Sequence, residues 1–168
     1  VTGGFSNTAS GVYSSISGGG TNTASGGTSS VAGGVVNTAS GNGSAILGGT
    51  FNTASGDESV VVAGSSNEAW SDMSALHGGR ANPTRSAIGT DRSVGEWSTV
   101  CGGQSNKAQQ DYASVTGGTS NTASGSWSSV TGGGGNTASG DLTSVSGGNA
   151  RSATVRYNWR AGSLLESL

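Results

Sequence analysis

The feature that most constrains this chain is a tandem repeat with a fifteen-residue period. Around each aliphatic anchor runs the pattern aliphatic-x-Gly-Gly-x-x-Asn-Thr-Ala-Ser-Gly-x-x-Ser-x. A fixed period of this kind is typical of architectures that stack one small structural unit many times. The anchors are Val1, Ile16, Val31, Ile46, Val61 and Leu76, followed by Val100, Val115, Val130 and Val145.

Each repeat predicts one coil with two short strands, one at Ser-x-aliphatic and one at Asn-Thr-Ala-Ser. Because side chains alternate along a strand, the aliphatic residue and the Ala point inward, and the neighbouring Thr, Ser and Asn point outward or into the turns. The glycines provide the reversals, and stacked asparagines hydrogen-bond from coil to coil. The density of Gly, Ser and Thr excludes helical repeats. The complete Asn-Thr-Ala-Ser-Gly motif begins at Asn7, Asn22, Asn37, Asn52, Asn121 and Asn136.

The period is interrupted between Leu76 and Val100, where the next anchor comes nine positions later than the repeat requires. We interpret this stretch as two twelve-residue coils with Ile88 as the intermediate anchor, which gives eleven coils in total. The predicted fold is therefore an all-β repeat solenoid, a parallel β-roll. The repeat domain covers residues 1–150, with the irregular coils at 76–99, and residues 151–168 form a C-terminal cap or neck.

The composition indicates that one chain needs partners of its own kind. Only 31% of the residues are hydrophobic, and 33 of the 168 are glycine, whose ordering costs more entropy than that of other residues. Association of identical chains would bury a second face of every coil. The net charge of −2 shows no basic patch for nucleic acid, and no run approaches the roughly 20 apolar residues of a membrane span. We predict neither a nucleic-acid partner nor membrane insertion of this segment.

The residues of enzyme active sites are nearly absent. The chain has one histidine, His77, and one cysteine, Cys101, with no Ser-His-Asp arrangement, metal-ligand cluster or phosphate-binding loop. We predict that the protein is not an enzyme and binds no cofactor and no metal.

The middle of the chain differs from the rest. No charged residue occurs in residues 1–56, whereas eleven lie between Asp57 and Asp111. Exposed Trp and Arg are typical of binding hot spots and carbohydrate platforms. An alternative is that the irregular residues only correct the register between two blocks of coils. The candidate ligand-binding residues are Trp70, Arg80, Arg85, Asp91, Arg92 and Trp97.

Two further rows lie outside this region. The aromatic residues Phe5, Tyr13, Phe51, Tyr112 and Trp127 occupy the variable corners, where we expect packing between chains. Thr8, Thr23, Thr38 and Thr53, continued by Thr122 and Thr137, form a regular row that resembles the Thr rows of ice-binding solenoids. Solvated strand residues are the alternative interpretation of that row.

The anchors also carry a family resemblance. Ser-Ala-Ile-Gly at residues 86–89 and the repeated Ser-Val-x-Gly-Gly anchors resemble the head repeats of trimeric autotransporter adhesins of the YadA-like class. Similar repeats occur in bacterial surface proteins and phage tail-fibre-like proteins. The resemblance covers the chain to about residue 153. It implies a left-handed β-roll and a homotrimer, with a neck and a coiled coil after the head.

The sequence and this resemblance together predict a structural and adhesive segment of an extracellular fibre. Its lateral surface would bind a host surface, a matrix protein or a glycan. The parent protein would be a cell-surface adhesin anchored in an outer membrane, or a virion fibre. The alternatives are a passive stalk or spacer and, with less support, an ice-binding solenoid.

Overall fold

The structure is a computed structural model that describes residues 1–85 and 93–161. Within these ranges the regular elements are twenty strands of two residues each, with no helix. In chain order the strands are β1 Thr8–Ala9, β2 Ser15–Ile16, β3 Thr23–Ala24, β4 Ser30–Val31, β5 Thr38–Ala39, β6 Ala45–Ile46, β7 Thr53–Ala54, β8 Val60–Val61, β9 Glu68–Ala69, β10 Ala75–Leu76, β11 Pro83–Thr84, β12 Thr99–Val100, β13 Lys107–Ala108, β14 Ser114–Val115, β15 Thr122–Ala123, β16 Ser129–Val130, β17 Thr137–Ala138, β18 Ser144–Val145, β19 Ser152–Ala153 and β20 Trp159–Arg160.

The strands form two ten-stranded parallel sheets. The odd-numbered strands make the first sheet, in which Thr8 pairs with Thr23, and the even-numbered strands make the second, in which Ile16 pairs with Val31. A third ladder of single bridges joins one corner of consecutive coils, beginning with Phe5 and Gly20. Each coil adds one strand to each sheet, so the chain is an all-β parallel solenoid of about ten turns, as the repeat predicted.

The core is a narrow column of small side chains between the two sheets. Apart from the first coil, where Val1 is exposed and Ala9 is partly buried, the predicted aliphatic and Ala positions among the described residues are inward and fully buried, as at Ile46 and Ala54. Two polar positions of each coil also point into the core, because residues two apart on a strand share a face. Asn52 lies beside Ala54, Ser59 lies beside Val61, and both polar side chains are 0% exposed. Our expectation that polar side chains point outward or into the turns was therefore wrong for Ser59, whereas Asn52 bonds the carbonyls of the corner and forms the predicted hydrogen bonds between coils.

The buried asparagines form a continuous hydrogen-bonded ladder inside the corner. Asn52 Oδ1 accepts the backbone N–H of Asn67 at 3.0 Å, and its Nδ2 donates to the carbonyls of Gly48 and Gly64, both at 3.0 Å. Repeated from coil to coil, these bonds satisfy backbone N–H and C=O groups that would otherwise be buried without partners. Besides the asparagines of the complete motif, the ladder includes Asn67, Asn82 and Asn106.

The long interval in the middle is one coil and not two. Leu76 pairs directly with Val100 in the second sheet, and the backbone N–H of Asn106 reaches Asn82 Oδ1 at 2.9 Å in the asparagine ladder. The two predicted twelve-residue coils would place another strand between these partners, and the direct pairing leaves no room for it. The extra nine positions are accommodated between β11 and β12. Ile88 lies among residues 86–92, outside the described part of the chain.

Strand pairing also continues beyond residue 150. β19 pairs with β17 and β20 pairs with β18, so the coils extend through Arg160 into the segment that we predicted as a cap or neck. Residues 162–168, which include the expected start of a coiled coil, lie outside the described residues.

Candidate binding surface

The structure divides the predicted central site. Trp70 lies on the outer face of the first sheet, with the Arg85 guanidinium carbon 5.6 Å from its ring centroid and Arg85 Nη1 3.9 Å from Glu68 Oε2. Arg80 belongs to the ladder of single bridges, and Trp97 stacks with Tyr112 in another corner. Asp91 and Arg92 lie outside the described residues. The predicted residues therefore belong to at least three separate places on the surface.

The most prominent of these places is a row of stacked aromatic rings. Trp97 and Tyr112 have ring centroids 6.4 Å apart at an interplanar angle of 7°, and Tyr112 and Trp127 have centroids 3.9 Å apart at 10°. All three side chains remain exposed, at 51%, 44% and 57%. Each ring is one repeat period from the next, so the parallel register places them in the same corner of consecutive coils.

Sequence reasoning missed this row as a site. We had placed Trp97 in the central cluster and assigned Tyr112 and Trp127 to packing between chains. The spacing of one full period from Trp97 to Tyr112 and from Tyr112 to Trp127 was the available signal, and the assignment of Trp97 to the central cluster separated it from the other two rings.

The backbone at these positions is left-handed. Trp97, Tyr112 and Trp127 have φ of 58°, 57° and 58°, and in another coil Gly43 fills the same position with φ of 70°. A side chain in this conformation costs about 1 kcal/mol or more relative to glycine. The large rings therefore occupy positions where glycine would be less strained, and the stability of the backbone alone does not explain their presence there.

A row of carboxylates runs immediately beside the rings. Asp111 Oδ1 accepts the backbone N–H of Gly95 at 2.8 Å, and Asp141 Oδ1 accepts that of Ser126 at 3.1 Å. On the other side of the long coil, Asp72 Oδ1 accepts the N–H of Asp57 at 2.8 Å. Each of these three aspartates is thus fixed by the preceding coil through one of its oxygens. We call this surface the acidic–aromatic ridge; it comprises residues 57–58, 72–73, 96–97, 111–112, 126–127 and 141–142.

The ridge concentrates the negative charge of the protein. Of the nine acidic residues, Asp91 and Glu166 lie outside the described part, and of the remaining seven only Glu68 lies off the ridge. Among the described residues, the single ion pair joins Arg85 and Glu68, so the ridge carboxylates have no cationic partner there. Like charges in register on neighbouring strands repel each other, so the carboxylates of residues 57–111 destabilise one another on the ridge.

The stacking also determines which surfaces of the rings a ligand can contact. Tyr112 and Trp127 cover each other's facing surfaces, whereas the wider spacing of Trp97 and Tyr112 leaves part of their facing surfaces accessible, together with the ring edges. A sugar ring packs against the face of an aromatic ring, so the Tyr112–Trp127 pair offers little of the carbohydrate platform that we expected from exposed Trp and Arg. It offers instead a narrow apolar edge beside a line of carboxylates.

The outer faces of the two sheets differ in charge. On the first sheet, Thr8 and Ser10 lie either side of the inward Ala9, and further coils place Glu68, Arg85 and Lys107 on this face. On the second sheet, the outward residues of the described strands from Ser15 to Ser146 include no Asp, Glu, Lys or Arg. From Ser15 to Ser146 the second sheet therefore presents a long face without Asp, Glu, Lys or Arg, on which His77 is the one histidine.

Comparison with known proteins identifies no family for this chain. The chain matches neither a protein-family model nor a curated protein. Within residues 1–85 and 93–161, no helix has the length and apolar character needed to cross a membrane, and no three His, Cys, Asp or Glu side chains are grouped to hold a metal ion. The strand ladders themselves define the chain as a β-solenoid repeat protein.

Proposed function

We propose that the chain is a structural and adhesive segment of an extracellular fibre and that it binds its ligand through the acidic–aromatic ridge. The observation that carries this proposal is the row of exposed, mutually stacked rings at Trp97, Tyr112 and Trp127. Trp and Tyr dominate binding energy at protein interfaces because they bury a large area with few rotatable bonds. Their stacking and their backbone ladder also fix the rings before any ligand arrives.

The ridge favours adhesion over a passive stalk. A spacer needs regular coils, and the buried Val, Ala, Ser and Asn side chains supply those without any large residue at the corner. In contrast, the ridge places aromatic side chains on left-handed backbone and leaves them in solvent. Clustered exposed apolar residues flanked by polar ones are typical of interaction sites.

The uncharged outer face of the second sheet supports self-association. A flat parallel sheet with small side chains can pack closely against a second sheet, and no charge would be buried by doing so. We propose that this face joins the chains of a homotrimer, the number being the one that the resemblance to YadA-like heads implies. The ridge then lies on the outside of a cell-surface or virion fibre.

The test compares two sets of variants with matched chemistry. The first carries Trp97→Asn, Tyr112→Asn and Trp127→Asn, because asparagine tolerates left-handed backbone. The control is Phe51→Asn, which removes another exposed aromatic residue, with φ of 57°, from a different corner. Binding to immobilised matrix proteins and glycans is measured, and light scattering gives the mass of each sample. We expect the triple variant to lose about 30-fold in affinity, the equivalent of one hot-spot residue, and the control to bind like wild type.

Two results would contradict this proposal. If wild type binds no member of the panel, the passive stalk is the better account. The same conclusion follows if the triple variant binds as tightly as wild type while keeping a β-rich circular dichroism spectrum. Light scattering should give three chains per particle for wild type and both variants, and a monomer would remove the trimer from the proposal.

Ice binding remains a second candidate because of one observation. In the first three coils, Thr and Ser both face outward from the first sheet with Ala between them, so two parallel ranks of hydroxyls line this face, and Ser55 of the fourth coil is buried. The intervening Ala points into the core and does not interrupt the two ranks. Measurement of thermal hysteresis separates this candidate from adhesion.

A further inference from the structure

We infer that the ligand of the acidic–aromatic ridge is an extended basic polypeptide segment. Its Lys or Arg heads would meet the carboxylate row, and their methylene stems would lie along the exposed ring edges. This inference rests on the proposed function and specifies the chemistry of the partner.

The charges on the ridge argue for a cationic partner. Asp57, Glu58, Asp72, Glu96, Asp111 and Asp141 lie along one corner and form no ion pair within the described residues. The aspartates that bond the preceding coil use one carboxylate oxygen each for a backbone N–H, and no described hydrogen bond uses the other oxygen. A partner that brings positive charge therefore removes repulsion as well as adding attraction.

The chain itself contains an example of the expected contact. One coil beyond Asp141, the same corner carries Arg156 followed by Tyr157. The Arg156 guanidinium carbon lies 4.9 Å from the Tyr157 ring centroid. This corner thus accommodates a cationic side chain beside an aromatic ring without disturbing the ladder, since the Tyr157 N–H still donates to the Asp141 carbonyl at 3.2 Å.

The shape of the ridge argues for an extended chain. Neighbouring coils in a parallel ladder are about 4.8 Å apart, so the five coil steps from Asp57 to Asp141 span about 24 Å. A polypeptide in β conformation covers that length with about seven residues at about 3.4 Å each. A straight line of carboxylates matches such a segment better than it matches a compact ion, which needs its ligands gathered around one point.

The ring edges argue for Lys and Arg in particular. These side chains combine a charged head with an apolar stem, and they bury the stem on apolar surface while the head stays hydrated. The ridge provides both surfaces side by side, with Asp111 directly followed by Tyr112 and Glu96 directly followed by Trp97. An inorganic cation would use only the carboxylates and would leave the rings exposed.

The probe is a fluorescently labelled octapeptide of alternating lysine and serine, and its control replaces every lysine with glutamate. The ridge variant carries Asp72→Asn, Asp111→Asn and Asp141→Asn, which keep the Oδ1 acceptor for the preceding coil. Asn42 occupies the same corner position naturally. The control for an off-ridge charge is Glu68→Gln, which is compared with the single ridge variant Asp111→Asn, so that each of these two variants loses one negative charge.

We expect the lysine peptide to bind wild type at about 0.01 M ionic strength, where charges act over about 30 Å, and to dissociate near about 1 M. An exposed ion pair contributes a factor of about 1.4 to 5 in affinity, so the ridge variant should bind about tenfold more weakly. The off-ridge control should lie within about twofold of wild type, and the triple aromatic variant should also bind more weakly.

Each contrary result has a distinct meaning. The inference is overturned if the lysine peptide does not bind, if Asp111→Asn and Glu68→Gln weaken binding equally, or if the aromatic variant leaves peptide binding unchanged. If the peptide fails but the aromatic variant still loses binding to a matrix protein or glycan, the adhesive function stands and only the basic partner is wrong. If neither ligand depends on the ridge, both proposals fail.

Discussion

Replacing Gly49 with alanine is expected to destabilise the solenoid by about 3 kcal/mol or more, whereas the same change at the adjacent Gly48 is expected to stabilise it by about 0.4 to 1 kcal/mol. Gly49 has φ of 90°, and a β-carbon there would overlap the Gly64 carbonyl oxygen of the next coil and lie 2.5 Å from Asn52 Nδ2. Backbone of the next coil cannot rotate away as a side chain can. The strain therefore adds to the clash.

Gly48 provides the matched control for this change. A β-carbon on Gly48 meets no atom within 4 Å, and its φ does not lie in the left-handed region. Its carbonyl still accepts from Asn52 Nδ2 after the substitution, because that bond uses only backbone atoms of residue 48. Denaturant unfolding of the two variants measures the difference. Equal midpoints for Gly48→Ala and Gly49→Ala would show that coils do not approach each other at this corner.

The second large effect is expected for Asn52→Ala, at about 3 to 5 kcal/mol. The substitution removes three hydrogen bonds, and it leaves the Asn67 N–H and the Gly48 carbonyl without these partners, whereas the Gly64 carbonyl still accepts the Thr50 N–H at 3.0 Å. A buried polar group left unsatisfied costs about 1 to 3 kcal/mol. The cavity left by the amide adds to this cost, because Asn52 is fully buried.

The control for the ladder is Asn42→Ala. Asn42 is exposed, and its Oδ1 accepts only a 3.3 Å hydrogen bond from the Thr28 hydroxyl. We expect its unfolding free energy to stay within about 0.5 kcal/mol of wild type. The two variants are compared by denaturant unfolding and by hydrogen exchange at the Asn67 amide. A small effect at both positions would mean that the asparagine ladder contributes little to stability.

The repeat predicted the two sheets because the signal is local and recurs. Each inward Val or Ile and each inward Ala is followed by its counterpart one period later, and the ladders pair those residues directly. The asparagine hydrogen bonds between coils were predicted from the repeat, but the complete burial of the Asn and Ser side chains was not, since polarity alone suggests an exposed side chain. Burial of Asn52 becomes favourable only when the neighbouring coils supply its partners, and one repeat viewed alone does not contain them.

The long coil shows what periodicity cannot determine. Register in a solenoid is set by the strands, so extra residues in a corner leave both sheets unchanged. Leu76 and Val100 are therefore neighbours in the second sheet although the chain between them is longer than one period. Spacing alone could not distinguish one enlarged corner from two short coils. The acidic–aromatic ridge was missed for the same reason, because the relation of Asp72 to Glu96 and Trp97 depends on counting this stretch as one step.

The most direct test of this account is the distance across the long coil. Spin labels are placed at Thr38→Cys and Thr122→Cys in a Cys101→Ser background and measured by pulsed electron resonance, diluted with unlabelled protein. Both sites occupy the same outward position of the first sheet, separated by five ladder steps. We predict a narrow distribution centred at about 24 Å, from about 4.8 Å per step. A distance of about 29 Å, one ladder step longer, would show that residues 76–99 add two steps, which would contradict the continuous ridge.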